Sequence, residues 1–407
     1  MNDSLSFLTL QELTRKIEAL VIFRNLLEDP LLKDFLILLK EVPATDREDR
    51  TGSREACAGF LNRLFPHTMN FSEYLLRKVL EDDNFFVRGK AEGGSFPDNL
   101  EDALLRELNA LQRLSRILPE ELPVYQQEPG LFPPYETKEL DFQQAYTDFL
   151  KTIARTGYGI YRQYGFFHYS PSGLVPVRYP DSQKLTELIG YQRQRDLVVR
   201  NTEALLEGKG AANILLYGDA GTGKSSTVKA IANEYRNRGL RLVEINKHQL
   251  HLLPEIMDLL PSSHLFFIIF VDDLSFTKND DDFSMLKAVL EGGATAVKKN
   301  VVIYATTNRR HLVKESLKDR AQEELFVNDS LQETMSLSAR FGLFITFERP
   351  DKDSYLEIVR HLAGERGLSI KGRELEKKAE AHALLCGGRS PRAARQFVDL
   401  LVNEIEL

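Results

Sequence analysis

What the 407-residue sequence lacks narrows the possibilities before any motif is read. It has only two cysteines, Cys57 and Cys386, far apart in apolar stretches and without metal-ligand spacing. That argues against a disulfide and for buried thiols in a reducing cytosol. Positive charge is not in excess: 53 Lys and Arg stand against 60 Asp and Glu, a formal net charge of −7. A constitutive nucleic-acid coat would carry the opposite balance. No apolar run reaches the roughly 18 residues of a membrane span, because charges interrupt each candidate. The start, Met1-Asn-Asp-Ser4, has no basic stretch followed by an apolar one, so no export signal is read there. No repeat of fixed period is present. The expectation is a cytoplasmic chain of about two or three domains. Its 43% hydrophobic and 28% charged residues are ordinary for a globular core.

What is there is organised around residues 213–227. A short apolar run, Ile214 to Tyr217, breaks into a loop spelling G-x-x-x-x-G-K-S from Gly218 to Ser225, and a helix-forming stretch follows. Strand, glycine loop and helix in this order form the context of a phosphate-binding P-loop. Gly218, Gly221 and Gly223 let the backbone turn its N–H groups inward around a polyphosphate. The cradle comprises Gly218, Asp219, Ala220, Gly221, Thr222, Gly223, Lys224, Ser225 and Ser226. The helix N-terminus behind it adds a partial positive charge aimed at the same anion. Lys224 reaches the β/γ-phosphates in this reading, and the Ser225 hydroxyl ligates Mg²⁺. The expected ligand is a nucleoside triphosphate.

Further strands follow at Leu240–Ile245, 265–271, 301–305 and 341–347. The run Leu265-Phe-Phe-Ile-Ile-Phe-Val271 is continuously apolar, as a parallel strand buried on both faces should be. It ends in Asp272-Asp273, at the strand end where open α/β sheets place ligand chemistry. Asp272 is expected to hold Mg²⁺ through water, and Asp273 to orient or deprotonate the attacking water. Asn308, after the strand at 301–305, is placed to hydrogen-bond the lytic water or the γ-phosphate.

On either side the chain reads as helical. Leu10, Leu13, Ile17 and Leu20 recur at helical steps, and Asp98-Asn-Leu-Glu101 has the form of a capping box. No catalytic constellation lies in this half. An aromatic cluster, Tyr158 to Tyr169, reads as packing surface, with base stacking as the less favoured option. Ser170 to Pro176 reads as a turn-rich linker. The expected domains are a mainly helical N-terminal domain at 1–175, a nucleotide-binding core at 176–350 and a small helical domain at 351–407. In the last of these, Ser390-Pro391 makes an N-cap and N1 pair, and Arg389, Arg392 and Arg395 are candidates for an anion contact.

Taken together, residues 177 to 407 resemble the AAA+ ATPases. Gly190 and Tyr191 fall where that superfamily has its adenine-side turn. Gly218 to Ser225 matches Walker A, Phe270-Val-Asp-Asp273 matches Walker B, and Ala305-Thr-Thr-Asn308 looks like sensor 1. Ser338-Ala-Arg340 sits where the family carries its arginine finger, and Ser390-Pro-Arg392 resembles sensor 2. The segments Asp272-Asp-Leu-Ser-Phe276 and Tyr304-Ala-Thr-Thr-Asn-Arg-Arg-His-Leu312 look like an uncharacterised bacterial AAA+ family of unknown function with a helical N-terminal half. The resemblance implies an α/β fold: a parallel sheet sandwiched by helices, an all-α C-terminal lid and a mainly α-helical N-terminal domain. It implies ATP and Mg²⁺ as cofactors, with Lys224, Asp273, Asn308 and Arg340 catalytic, Ser225 and Asp272 on the metal, and Arg392 on the nucleotide.

One departure matters. Most of the superfamily has Asp-Glu at Walker B, and Asp273 is shorter by one methylene, roughly 1.5 Å. Two functions are therefore expected. The first is an oligomeric ATPase with nucleotide at subunit interfaces, remodelling a protein or nucleoprotein partner through its N-terminal domain. The second is a nucleotide-gated binding module or loader with slow or no hydrolysis.

Overall fold

The apolar spacing of the N-terminal half becomes helices whose inner faces meet in one core. The computed structural model describes residues 7–40, 51–260, 265–274, 286, 290, 299–308, 341–368 and 372–403. Within the chain two compact units form, Met1–Gln163 and Tyr164–Leu407. The first is built from α1 (Phe7–Glu18), α2 (Pro30–Lys40), α3 (Thr51–Leu64), α4 (Phe71–Glu81), α5 (Phe85–Ala91), α6 (Asp98–Ser115), α7 (Pro123–Gln127), α8 (Phe142–Thr156) and α9 (Ile160–Gln163). Leu10, Leu13, Ile17 and Leu20 are buried, as their spacing predicts. At the centre Phe35, Phe60, Phe71 and Tyr135 pack ring against ring, with centroids 4.4 to 6.2 Å apart. The Glu107 carboxylate on α6 accepts from the backbone N–H groups of Val21, Ile22 and Phe23, closing the turn after α1. The capping box expected at Asp98 does not form. Helix α6 begins at Asp98 itself, behind Pro97, without a side-chain cap, and Glu101 instead accepts from Lys90 Nζ at 2.6 Å.

The second unit is a sheet with helices and a helical appendix. Its strands are β1 (Phe166–Ser170), β2 (Gly173–Pro176), β3 (Ile214–Gly218), β4 (Leu240–Ile245), β5 (Phe266–Val271), β6 (Val301–Asn308) and β7 (Leu343–Phe347). The described strands lie in the order β2-β1-β4-β5-β6-β3-β7. All neighbours run parallel except the β1–β2 pair. Helices α10 (Gln192–Leu206), α11 (Lys224–Glu234) and α12 (Leu253–Leu259) connect them. A separate apolar cluster joins α13 (Lys352–Glu365), α14 (Arg373–Leu385) and α15 (Pro391–Val402), with Tyr355, Ile358, Ala394 and Phe397 inside. Ser390 caps α15 by accepting from Ala393 N–H at 3.1 Å, with Pro391 next to it.

Three local readings change. The segment Ser170–Pro176 is the turn and return strand of a β-hairpin, not a linker: β1 continues the sheet beside β4 and β2 folds back on it. Residues 166–176 thus lie in the second unit. The aromatics around them bury area, with Phe166, Phe167 and Tyr169 all buried. Of the two cysteines only Cys57 is buried, and burial pushes its thiol up to about 11. Cys386 is exposed, at the C-terminal cap of α14. Among the described residues no helix is long and apolar enough to cross a membrane. Replacing Phe35, which is fully buried, by Ala is expected to cost roughly 3–5 kcal/mol. Denaturant unfolding checks this, and an unchanged midpoint would refute the packing assigned to the aromatic cluster.

Candidate functional site

Strand order brings three carboxyl ends side by side. β5, β6 and β3 are consecutive neighbours. Their register sets Val271 beside Ala305 and Asn308 beside Gly218. Parallel strands release their loops at one edge of the sheet, so the glycine loop, the two acids and the asparagine converge there.

The loop adopts the backbone its glycines permit. Gly218, Gly221 and Gly223 have φ of +145°, +78° and +92°. At Gly218 a close approach also excludes a side chain. A Cβ there would lie 2.0 Å from the Phe347 carbonyl oxygen on β7, and the Asp219 N–H donates to that same oxygen at 3.2 Å. Gly223 forms the N-cap of α11, which puts the positive end of the helix dipole at the mouth of the loop.

Lys224 opens α11 and turns back under the loop, where it is 6% exposed. Its ammonium donates to the carbonyls of Gly218 at 3.0 Å and Asp219 at 2.7 Å, and to Asn308 Oδ1 at 3.1 Å. Burial pushes this ammonium below its ordinary pKa, while Asp219, Asp272 and Asp273 pull it back up. Ser225 Oγ donates to Asp272 Oδ1 at 2.6 Å. Asn308 Nδ2 donates to Asp273 Oδ1 at 2.7 Å. One asparagine amide therefore links the lysine to the second acid.

The C-terminal helices close over the loop. The Arg392 N–H donates to the Gly221 carbonyl at 3.2 Å. Arg349, just past β7, sits 3.4 Å from Asp219 Oδ1 and donates to the Gly387 carbonyl at 2.9 Å. Between core and appendix lies a cavity of about 480 Å³, within the size range of small-molecule sites. Residues 220–226, Asp272, Asp273, Asn308 and Arg392 line it, and Leu188, Ile189, Ile358 and Leu362 form its apolar side. The segment before Leu188 is held down by Asn233 on α11, whose amide donates to the carbonyls of Asp181 and Gln183.

Most of the residues singled out in the sequence thus meet. Gly218 and Asp219 are not in the cavity lining and bind Lys224 through their carbonyls. Gly190 and Tyr191 stand apart: they line an adjacent cavity. The Tyr191 hydroxyl donates to the Glu348 carbonyl at 2.5 Å, and its ring tilts against Phe347. Arg340 lies outside the described residues. Arg389 pairs with Glu380 at 2.6 Å, whereas Arg395 faces the cavity with Arg392. Sequence reasoning missed Thr306 and Arg349. Thr306 is two residues before Asn308 on a strand, so the two-residue alternation of side chains would have put both on one face.

Sheet order, glycine loop and helical appendix together define a P-loop α/β fold of the AAA+ type. The chain belongs to the family described as "Protein of unknown function (DUF815)", which matches residues 162–405. No curated protein matches it. Among solved structures it is similar to the Thermotoga maritima RuvB Holliday junction branch migration motor. That match has 17% identity and a TM-score of 0.37, covering 54% of this chain and 66% of that one, just under two thirds. A structure addressing katanin self-assembly matches at 18% identity and a TM-score of 0.34, covering 54% of this chain and 70% of that one. At such scores the fold class rests on the strand order and the loop.

Gly218→Ala is expected to destabilise the second unit by roughly 3 kcal/mol or more, combining a left-handed φ with an overlap against the Phe347 carbonyl. Thermal and denaturant unfolding measure it. A wild-type melting temperature would contradict the close approach of loop and β7.

Proposed function

We propose that the chain binds MgATP in this cavity and hydrolyses it, working as an oligomer that remodels a protein or nucleoprotein partner. The observation that carries the reading is the convergence of Lys224, Ser225, Asp272, Asp273 and Asn308 on one cavity beneath a helix N-terminus. Lys224 would pass its ammonium from loop carbonyls to the β/γ-phosphate oxygens, an exchange of neutral acceptors for charged ones. The Ser225 hydroxyl and the Asp272 carboxylate, 2.6 Å apart, are the hard oxygen donors that Mg²⁺ prefers. Bound there, Mg²⁺ would neutralise charge on the transferring phosphoryl group. Asp273 would accept the proton of the attacking water, and Asn308 would orient it. Arg392 and Arg395, on the lid at 351–407, would sense the nucleotide from the far side. Arg340 would act on the nucleotide of a neighbouring subunit, its planar fork suiting phosphate oxygens. The partner would be engaged through the helical N-terminal domain.

A second reading has its own support. The short Asp273 carboxylate is already held by the Asn308 amide, which favours a nucleotide-gated binding module that turns over slowly. Phosphate-release assays separate the roles. Asp273→Asn is expected to keep MgATP binding and lose at least about a hundredfold in turnover, the usual share of a general base. Asp272→Asn should instead raise the Mg²⁺ requirement. Wild-type rates in both variants would move the catalytic centre elsewhere; a very slow wild type that still binds MgATP would favour the gated module.

The assembly is tested by complementation. Arg340→Ala and Lys224→Ala should each be inactive alone. Mixed, they should recover part of the turnover, because intact Arg340 from one subunit meets an intact loop on the other. No recovery in confirmed mixed oligomers would contradict a role across the interface.

A further inference from the structure

Thr306 makes contacts that the roles above leave unused. It is buried on β6, and its hydroxyl touches both acids of the neighbouring strand end. The Asp273 N–H donates to Thr306 Oγ1 at 3.0 Å, and Thr306 Oγ1 donates to Asp272 Oδ1 at 2.5 Å. The direction of both bonds is forced. A backbone N–H can only donate, so the hydroxyl accepts there and its single proton is left for the carboxylate. The carbonyl of the same residue accepts from the Leu274 N–H at 2.7 Å. One residue therefore holds 272, 273 and 274 in succession.

The held conformation is an uncommon one. Asp273 has φ of +54°, left-handed for a residue that is not glycine, and such a backbone persists only where its surroundings over-determine it. Among the described residues only Tyr191 shares this property. In this conformation the Asp273 carboxylate reaches the Asn308 amide, and through it the oxygen that binds Lys224. On the other side the Asp272 oxygen that takes the Thr306 proton also takes that of Ser225.

We propose that Thr306 is a positioning residue whose hydroxyl couples the metal-facing carboxylate of Asp272 to the left-handed turn of Asp273. It thereby sets where a shorter acid can stand at this strand end. The proposal rests on the MgATP reading. Thr306→Val keeps the shape of the side chain and removes both bonds; Thr306→Ser keeps both.

The test titrates a fluorescent ATP analogue against each protein, with Mg²⁺ varied and with chelator present. Thr306→Val should need at least about tenfold more Mg²⁺ for half-maximal enhancement of binding, the factor expected on losing a hydrogen bond to a charged group. Its turnover should fall while its KM at saturating Mg²⁺ stays near that of the wild type. Thr306→Ser should stay close to wild type in both. Metal-free affinity, which depends on the loop, should be equal in all three. A Mg²⁺ dependence unchanged in Thr306→Val overturns the proposal. So does a Thr306→Ser variant as impaired as Thr306→Val, or a joint loss of metal-free affinity, since either would mark a packing role. A wild-type protein that binds no nucleotide at all is a different result: it overturns the functional reading itself, before any variant is compared.

Discussion

A buried ammonium is the constraint on which the rest of the site depends. Removing a charged amine from water is costly unless its protons find acceptors. Lys224 solves this by collecting two loop carbonyls and the Asn308 side chain. Those three oxygens come from two different strand ends, so the lysine is satisfied only when β3 and β6 lie side by side in the observed register. The same oxygens fix the curl of the loop. Loop shape, strand order and asparagine position are in this sense one requirement.

From that centre the connections run outward in both directions. Towards β5, the Asn308 amide holds Asp273, while Ser225 and Thr306 hold Asp272. Towards the C-terminal helices, the Gly221 carbonyl accepts from the amide of Arg392. Arg349 spans the gap between Asp219 and Gly387. Loop and C-terminal helices are thus joined by direct contacts.

The parts of this site that were legible in the sequence are those whose chemistry is local. A loop that needs glycine at three positions and Lys-Ser at its end states its purpose in eight residues, and the acids stand where an apolar strand stops. Asn308 could be read for the same reason. Thr306 could not be read as easily, because its role depends on the pairing of Val271 with Ala305, a fact of register rather than of spacing. Ser170–Pro176 reads as a linker where the chain makes the turn and return strand of a hairpin, because glycine, proline and serine mark a tight turn and a linker alike. Tyr191 was placed by analogy near the base. Its αL backbone and its bond to Glu348 set it in the cavity that adjoins the loop's and shares Ile189 and Ile358 with it. The N-terminal helices were visible from their periodicity, but periodicity specifies a buried face and not a partner.

The central claim is that the loop around Lys224 holds the triphosphate of ATP. Calorimetric titration of MgATP into the wild-type protein and into Lys224→Ala, both checked for retained fold by circular dichroism, tests it most directly. The account predicts saturable binding by the wild type and none measurable by the variant. Equal affinity in the two would contradict it, because a triphosphate held elsewhere would not notice the loss of this one cation.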